Sequence, residues 1–376
     1  MNPKDLLSYL AKEDLNFFTG VPCSHFKELL IQLDLESDNF SHICTTGEGE
    51  AVGIAAGYHL STNRIPIIYL QNSGLGNTIN PLTSLMDKLV YSIPAILFIS
   101  WRGKLGVPDE PQHKKMGIVM TDLLKDLDIP YDLADKDFTK TIIKIKKLKN
   151  IAEKEQKPVA LIFEASLFEK TFFKKDTFHK KSHLLTREEI LNILLPKIGQ
   201  NPVITTTGKT SREIFELREK LNQSHKYDFL MVGSMGCALG IGFGVSLQSD
   251  KKVFIIDGDG SVLMRMGTLA TVGHYKPKNM VHIIIDNQAY ESTGGQPSSS
   301  PTLNWKLLLR GAGYRKVLVV RTSRELKSLK IDRINNMCAI VIYSKIGSRK
   351  DLGRPTSTPV ANKIEFMKFL SNKKDV

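Results

Sequence analysis

The run Val253-Phe254-Ile255-Ile256-Asp257-Gly258-Asp259-Gly260-Ser261, followed later by Val281-His282-Ile283-Ile284-Ile285-Asp286-Asn287-Gln288-Ala289, decides how this chain is read. Each run opens with a short, continuous apolar segment, the pattern of a strand buried on both faces of a parallel sheet. Asn287 follows Asp259 by 28 positions, which leaves room for a helix between two adjacent parallel strands. Both strands then deliver their last residues to one carboxyl edge, where open α/β sheets bind ligands. Asp259, Asn287 and a main-chain carbonyl, assigned to Ala289, would join phosphate oxygens in an oxygen shell for Mg²⁺ or Ca²⁺. Gly258 and Gly260 let the backbone come close to an anion. A helix opening near Ser261 offers free N–H groups and a positive dipole end to a diphosphate.

This pattern resembles the signature of the thiamine-diphosphate (ThDP) enzymes, a GDG followed by an Asn pair, whose first member is here Asp286. A second element supports the resemblance. The segment Thr46-Gly47-Glu48-Gly49-Glu50-Ala51, continuing to Gly57-Tyr58, reads as a helix of small residues packed closely against a neighbour. ThDP enzymes carry a Glu nine residues before such a Gly-Tyr pair, and Glu48 has that spacing whereas Glu50 does not. The resemblance implies that Glu48 bonds the aminopyrimidine ring and promotes its removal of the thiazolium proton. The plainer role is an acid complementing the helix dipole.

Composition bounds the alternatives. A chain of 376 residues, 41% apolar, has material for two domains with real cores. There is no apolar run long enough to span a membrane and no secretion signal in the charged first residues, so a cytoplasmic protein is expected. Cys23, Cys44, Cys237 and Cys338 lack metal-ligand spacing and read as reduced thiols. The formal net charge of +13 raises the question of nucleic acid. The basic residues are spread along the chain, however. The concentration at 140–157 reads as a solvated helix face, and that at 170–181 as a connector. Neither interleaves aromatics in a recognised nucleic-acid pattern, so no nucleic-acid partner is expected and the charge better suits a small polyanion.

Apolar runs alternate with helical stretches throughout, which predicts an α/β protein built from two mostly parallel sheets flanked by helices. Strands are expected near Phe17-Phe18 and over 67–70, 95–99 and 159–163. In the second half they are expected over 203–206, 229–232, 253–256, 281–285, 317–320 and 339–343. The polar, basic stretch 169–183 is expected to connect a domain of residues 1–168 to one of residues 184–376. Thr186-Arg187-Glu188-Glu189 has the capping-box pattern that opens a helix. No tandem repeat is visible. The resemblance makes these a pyrimidine-binding and a diphosphate-binding ThDP domain, with no room for a central third domain.

Further segments narrow the resemblance. They are Thr19-Gly20-Val21-Pro22-Cys23-Ser24, Gln71-Asn72-Ser73-Gly74-Leu75-Gly76-Asn77, Trp101-Arg102-Gly103, Asp109-Glu110-Pro111-Gln112-His113, Thr207-Gly208-Lys209-Thr210-Ser211-Arg212-Glu213, Val232-Gly233-Ser234-Met235-Gly236-Cys237 and Glu291-Ser292-Thr293-Gly294-Gly295-Gln296-Pro297. On a two-domain chain, this set resembles the phosphonopyruvate decarboxylase family. The resemblance implies a carboxy-lyase that takes 3-phosphonopyruvate to phosphonoacetaldehyde and carbon dioxide through a ThDP ylide and enamine, in phosphonate biosynthesis of the aminoethylphosphonate type. The neighbouring reading is a ThDP decarboxylase of sulfopyruvate or another 2-oxo acid. A reading from another class is a non-catalytic ThDP-fold binding protein.

The resemblance also assigns roles. Gly208, Lys209, Ser234, Met235, Gly258, Asp259, Gly260, Ser261 and Asn287 are expected to bind ThDP, with Met235 wedged beneath it. Asp259, Asn287 and Ala289 are expected to hold Mg²⁺. Ser24 stands where pyruvate decarboxylases have an acid, which would repel a substrate carrying a phosphonate beside its carboxylate, whereas a neutral hydroxyl would not; it could equally cap the following helix. His113, on a loop, is a candidate proton donor or anion ligand. Arg102, Lys104 and Lys209 are the cationic candidates for the phosphonate. Pro108 stands where the family pattern has Lys, so that assignment fails or its charge moves to Lys104. A homo-oligomer, at least a dimer with the active site between subunits, is implied.

Overall fold

The computed structural model describes residues 1–170 and 183–371. Of the expected connector, residues 171–182 lie outside the described ones. The chain divides into two compact units, Met1–Lys175 with Ser292–Gln296, and Asp176–Glu291 with Pro297–Val376.

The first unit is a six-stranded parallel sheet of β1 (Phe17–Gly20), β2 (Ser41–Cys44), β3 (Ile67–Gln71), β4 (Ala95–Ser100), β5 (Tyr131–Leu133) and β6 (Pro158–Phe163), in the order β2-β1-β3-β4-β6-β5. The strand period of two sorts the side chains. From β4, Ile96 and Phe98 enter one core while Ala95, Leu97 and Ile99 enter the other. Strands β2 and β5 escape a reading of apolar runs. They are the two edges, only partly buried, and carry Ser41, His42 and Asp132.

The second unit contains β7 (Val203–Thr205), β8 (Asp228–Leu230), β9 (Val253–Gly258), β10 (Met280–Asp286), the two-residue strands β11 (Ala289–Tyr290) and β12 (Gln296–Pro297), β13 (Lys316–Val320) and β14 (Cys338–Tyr343). Its six-stranded parallel sheet runs β8-β7-β9-β10-β14-β13. Counted from each unit's first long strand, both sheets follow the same order, 2-1-3-4-6-5. The chain therefore repeats a topology although no repeat is visible in its residues. Strand β9 lies beside β10, Ile256 opposite Ile283, as the opening pattern requires. Phe254, Ile256, Val281, Ile283 and Ile285 fill one core; Val253, Ile255, Met280 and Ile284 fill the other. Burying each such side chain contributes roughly 1.5–3 kcal/mol.

The capping box at Thr186 is formed: its hydroxyl accepts from Glu189 N–H, and the Glu189 carboxylate accepts from Thr186 N–H. The basic run at 140–157 lies largely on the helix Phe138–Glu155, which buries Thr141, Ile145, Leu148 and Ala152. Edge strand β8 is covered by the helix Pro359–Ser371. The Asn362 amide accepts from Leu230 N–H at 3.0 Å and donates to the Asp228 carbonyl at 2.8 Å.

Beneath that strand, Arg218 clamps the Asp228 carboxylate bidentately at 2.8 and 2.9 Å, both side chains fully buried. Removing one partner strands a buried charge. Asp228→Ala should therefore lower the free energy of unfolding by about 3–5 kcal/mol, read from denaturant midpoints. A loss under about 1 kcal/mol would show that water reaches Arg218.

Candidate active site

In a sheet of this order, loops leave the first and third strands in opposite directions and open a crevice at the carboxyl edge. In the second unit those strands are β7 and β9. Gly208 follows β7 with φ +91°, a left-handed conformation that only glycine adopts readily, and the helix Lys209–Lys220 starts directly after it. Strand β9 ends at Gly258, and the next helix opens at Asp259 rather than near Ser261. Ser261 ties the two loops together: its hydroxyl accepts from Thr206 Oγ1 at 3.0 Å and from Gly236 N–H at 3.1 Å. A Cβ on Gly260 would lie 2.9 Å from the Tyr290 ring and 3.4 Å from Met235 Cε, so this glycine sets how closely Met235 approaches the backbone turn. Ser234, next to Met235, is exposed and itself has φ +54°.

Beside the turn lie two buried carboxylates. Asp286 accepts three hydrogen bonds, from Ser300 Oγ at 2.6 Å, Trp305 Nε1 at 2.8 Å and Gln288 N–H at 3.0 Å. An Asn there would place an NH₂ against a donor, which explains why this chain departs from the double-Asn pattern. Asp259 accepts from Ser298 Oγ. Burial, and then the charge of Asp286, push the Asp259 carboxyl up to about 7. This pocket of acid lacks a positive charge of its own. Asn287 adds an amide whose Oδ1 accepts from Ala289 N–H at 3.1 Å while its Nδ2 donates to Glu291 at 3.1 Å. A carboxylate, an amide oxygen and the Ala289 carbonyl form a hard-cation donor set. Among the described residues there is no cluster of three or more His, Cys, Asp or Glu side chains for a softer metal.

In the first unit, β1 and β3 flank the crevice. Glu48 is the first residue of the helix Glu48–Thr62 and is buried, with its Oε2 accepting from Asn77 Nδ2 at 2.8 Å. Gly74 on the loop after β3 touches it. A Cβ there would stand 2.3 Å from Glu48 Oε1 and 2.6 Å from its carboxyl carbon. The neighbouring Asn72 links the ends of β3 and β4, accepting from Arg102 N–H at 3.1 Å and donating to the Arg102 carbonyl at 2.8 Å.

Ser24, Arg102 and His113 come together around Asp109. Arg102 grips the Asp109 carboxylate through Nε and Nη2 and donates from Nη1 to Ser24 Oγ at 3.2 Å. His113 Nδ1 lies 2.8 Å from Asp109, so that nitrogen carries the proton and Nε2 faces away from the carboxylate. Burial alone would raise Asp109; the hydrogen bonds from Arg102, His113 and two backbone N–H groups outweigh it and hold the carboxyl well below its usual range. Two sequence expectations are corrected here. Ser24 does not cap a helix, since the helix Lys27–Leu35 follows Phe26 with no side-chain cap and the hydroxyl is taken by Arg102. His113 is not on a loop but in the first turn of the helix Pro111–Asp126, which starts at Pro111.

The other two cationic candidates sit elsewhere. Lys104 pairs with Glu164 and lies over the Trp101 ring. Lys209 pairs with Glu291 at 3.1 Å in the second unit.

Comparison with known proteins agrees with this geometry. A thiamine pyrophosphate enzyme N-terminal TPP binding domain matches residues 3–120, and the corresponding C-terminal TPP binding domain matches residues 206–329. The phosphonopyruvate decarboxylase of Streptomyces viridochromogenes is 33% identical, over 98% of this chain and 94% of that protein. This chain belongs to the phosphonopyruvate decarboxylase family of ThDP enzymes. The family protein of Streptomyces hygroscopicus is 31% identical over the same shares. A sulfopyruvate decarboxylase of Methanosarcina acetivorans is 29% identical over 79% of this chain and 78% of that protein.

Several groups of this ThDP enzyme's site were not assigned from sequence. Ser298, Ser300 and Trp305 hold the two Asp carboxylates but lie beyond the quoted motif. His25 is pushed down to about 4 by burial and then by Arg102, and its Nδ1 is buried without a partner. Only Gly74 had a legible signal, a glycine in a loop at a strand's carboxyl end.

That glycine supplies a test. Gly74→Ala must displace the Glu48 carboxylate, and misplacing a reacting group by about 1 Å costs roughly 10²-fold in rate. We expect a loss of that order in kcat with a melting temperature near that of the parent. Parental kcat would show that Glu48 need not stay where Gly74 leaves it.

Proposed function

We propose that this enzyme decarboxylates 3-phosphonopyruvate to phosphonoacetaldehyde and carbon dioxide, using ThDP and Mg²⁺, as a step in phosphonate biosynthesis of the aminoethylphosphonate type. The observation that carries this reading is its likeness, along almost the whole chain, to two proteins named phosphonopyruvate decarboxylase.

Bound ThDP supplies the electron sink for the pair left behind when carbon dioxide departs. The side chains bind, orient and move protons around it. Asp259, Asn287 Oδ1 and the Ala289 carbonyl would hold Mg²⁺. N–H groups at Gly258, Gly260 and Ser261, and those around Gly208 and Lys209, would receive the diphosphate oxygens, and Ser234 and Met235 would contact the cofactor. Glu48, oriented by Asn77, exchanges a proton with the aminopyrimidine at its carboxylate. Arg102 Nη1 and the Ser24 hydroxyl receive the phosphonate; each needs only to trade their mutual hydrogen bond for one to the substrate. Lys104 and Lys209 are weaker candidates because the single ammonium of each is already paired with a carboxylate, whereas Arg102, clamped by Asp109 through Nε and Nη2, keeps Nη1 for an anion. His113, steered by Asp109 through Nδ1–H, is the candidate proton donor in its imidazolium form, which also carries a proton on Nε2. A neutral hydroxyl at Ser24 leaves the anion unopposed.

Cytoplasmic location fits the free cysteines, and no described helix is long and apolar enough to cross a membrane. The active unit is read as a homo-oligomer, at least a dimer. Gly53, Gly57 and Leu60 lie exposed on the helix that begins with Glu48, a surface that admits close packing. If Glu48 and Asp259 of one site come from different subunits, mixing inactive Glu48→Gln and Asp259→Ala proteins should restore turnover. No recovery after verified subunit exchange would place each site within one chain.

Substrate choice is read by carbon dioxide release from phosphonopyruvate, sulfopyruvate and pyruvate, with and without ThDP and Mg²⁺. Two charge-assisted hydrogen bonds, each worth about 1.5–3 kcal/mol, predict a preference for phosphonopyruvate over pyruvate of about 10²–10⁴ in kcat/KM. Sulfopyruvate falls between them, and Arg102→Ala narrows the gap. Fastest turnover with sulfopyruvate would favour the reading that the Methanosarcina relative suggests; equal values for all three acids would remove the phosphonate clamp.

A further inference from the structure

The Asn287 amide is useful to a metal only if its oxygen, not its NH₂, faces the ion. Nothing about an isolated amide decides between the two. In this chain Glu291, four residues on, decides it. Its carboxylate is nearly enclosed, with 9% of the side chain exposed, and is faced by two cations, Lys209 at 3.1 Å on Oε1 and Arg187 Nη1 at 3.1 Å on Oε2. Oε2 also receives Asn287 Nδ2 at 3.1 Å. A carboxylate between two cations only accepts hydrogen bonds, so the amide atom turned towards it must be the NH₂. The opposite side agrees, since Oδ1 accepts from Ala289 N–H at 3.1 Å and keeps one lone pair free.

Arg187 is fixed in turn. Its Nε and Nη2 fork onto the fully buried Glu213 at 2.7 and 2.8 Å, which leaves Nη1 for Glu291. Glu213 and Lys209 stand on one helix, Lys209–Lys220, while Arg187 opens the helix Arg187–Ile198. Two helices thus converge on a residue that is not itself a member of the donor set but holds one, Asn287, and pairs with Lys209.

We propose that Glu291 is the positioning residue of the metal site. Held by Arg187 and Lys209, it locks the Asn287 amide with Oδ1 towards the divalent cation. This inference rests on the ThDP–Mg²⁺ reading above. It also gives Lys209 a task, to complete the charge around Glu291, that competes with phosphonate binding.

Glu291→Gln is nearly isosteric but has one oxygen where the carboxylate meets Lys209, Arg187, Asn287 and Ser348, so its NH₂ must face Lys209 or else Arg187 and Asn287. The test is calorimetric titration of Mg²⁺, and separately of Ca²⁺, into ThDP-saturated protein, with the melting temperature of the metal-free protein measured alongside. Losing a residue that orients a ligand typically costs 10–100-fold in metal affinity. We expect Mg²⁺ to weaken by about that factor and Ca²⁺ by distinctly less, because Mg²⁺ demands near-ideal octahedral geometry and Ca²⁺ does not. A general loosening of the fold would weaken both alike and lower the metal-free melting temperature, and that result overturns the proposal. So does an Mg²⁺ affinity within about threefold of the parent. If Glu291→Gln does not fold, Glu291→Asp takes its place. It keeps the charge for Arg187 and Lys209 but withdraws the oxygen from Asn287, and the same selective loss is expected. A parent protein that binds ThDP without drawing in Mg²⁺ would instead sink the metal reading itself, a result distinct from equal affinities in parent and variant.

Discussion

Two carboxylates buried side by side at the ends of adjacent parallel strands are the constraint to which the second unit is fitted. Asp259 and Asp286 repel each other, and burial denies them water, so Asp259 keeps its proton to about pH 7. Such a pair is costly unless something answers it. Asp286 is answered by three donors, Ser300, Trp305 and the Gln288 N–H. Asp259 has only Ser298 and nearby backbone N–H groups. One acid is therefore structural, anchoring the loop after β10, and the other is left short of side-chain donors. The division of labour follows from the donors around each acid, since the two residues are of the same type.

Both units solve their positioning problem with the same sheet. Each has strand order 2-1-3-4-6-5, and each delivers its chemistry from the ends of its third and fourth strands. In the second unit these ends give Asp259 and Asn287; in the first they give the Gly74 loop against Glu48 and the Arg102 segment. The cross-links differ in kind. Asn72 bridges the two strand ends of the first unit through main-chain atoms of Arg102, which fixes the backbone and leaves the guanidinium to side-chain partners. Ser261 bridges the loops after β7 and β9 of the second unit with its hydroxyl, keeping the turn between them narrow. A topology repeated without repeated residues is what physics asks of a scaffold: any apolar residue of suitable size fills a strand interior, so sequence drifts while order persists.

What could be read in the sequence tracks how local each signal is. Central strands such as 281–285 and 95–99 were plain because they are apolar on both faces. Edge strands β2 and β5 were not, because half of each faces water and Ser41 or Asp132 breaks the run. Among candidate site residues, Asp259, Asn287 and Glu48 could be named because short motifs space them along the chain. Their supports could not. Trp305 reaches Asp286 across 19 positions and Arg187 reaches Glu291 across 104, and no local pattern announces contacts that only folding creates. His113 was assigned to a loop because a Pro two residues earlier reads equally as a turn or as the first residue of a helix.

The candidate cations of the site are notable for not being free. Arg102 is held by Asp109, Lys104 by Glu164, Lys209 by Glu291, and Arg187 by both Glu213 and Glu291. On a chain of net charge +13 this is a choice, since unpaired lysines abound elsewhere for drawing an anion in. A cation already fixed by a carboxylate contributes less net attraction, but it needs no reorganisation when the ligand arrives. Recognition then depends on direction rather than field strength. Arg102 offers Nη1 on a guanidinium whose other edge is clamped, so an anion is accepted along one line. Glu291 applies the same logic one step removed, spending two cations to fix which end of an amide looks outward. On the proposed reading, the long-range field would gather polyanions and the paired cations would decide which of them fits.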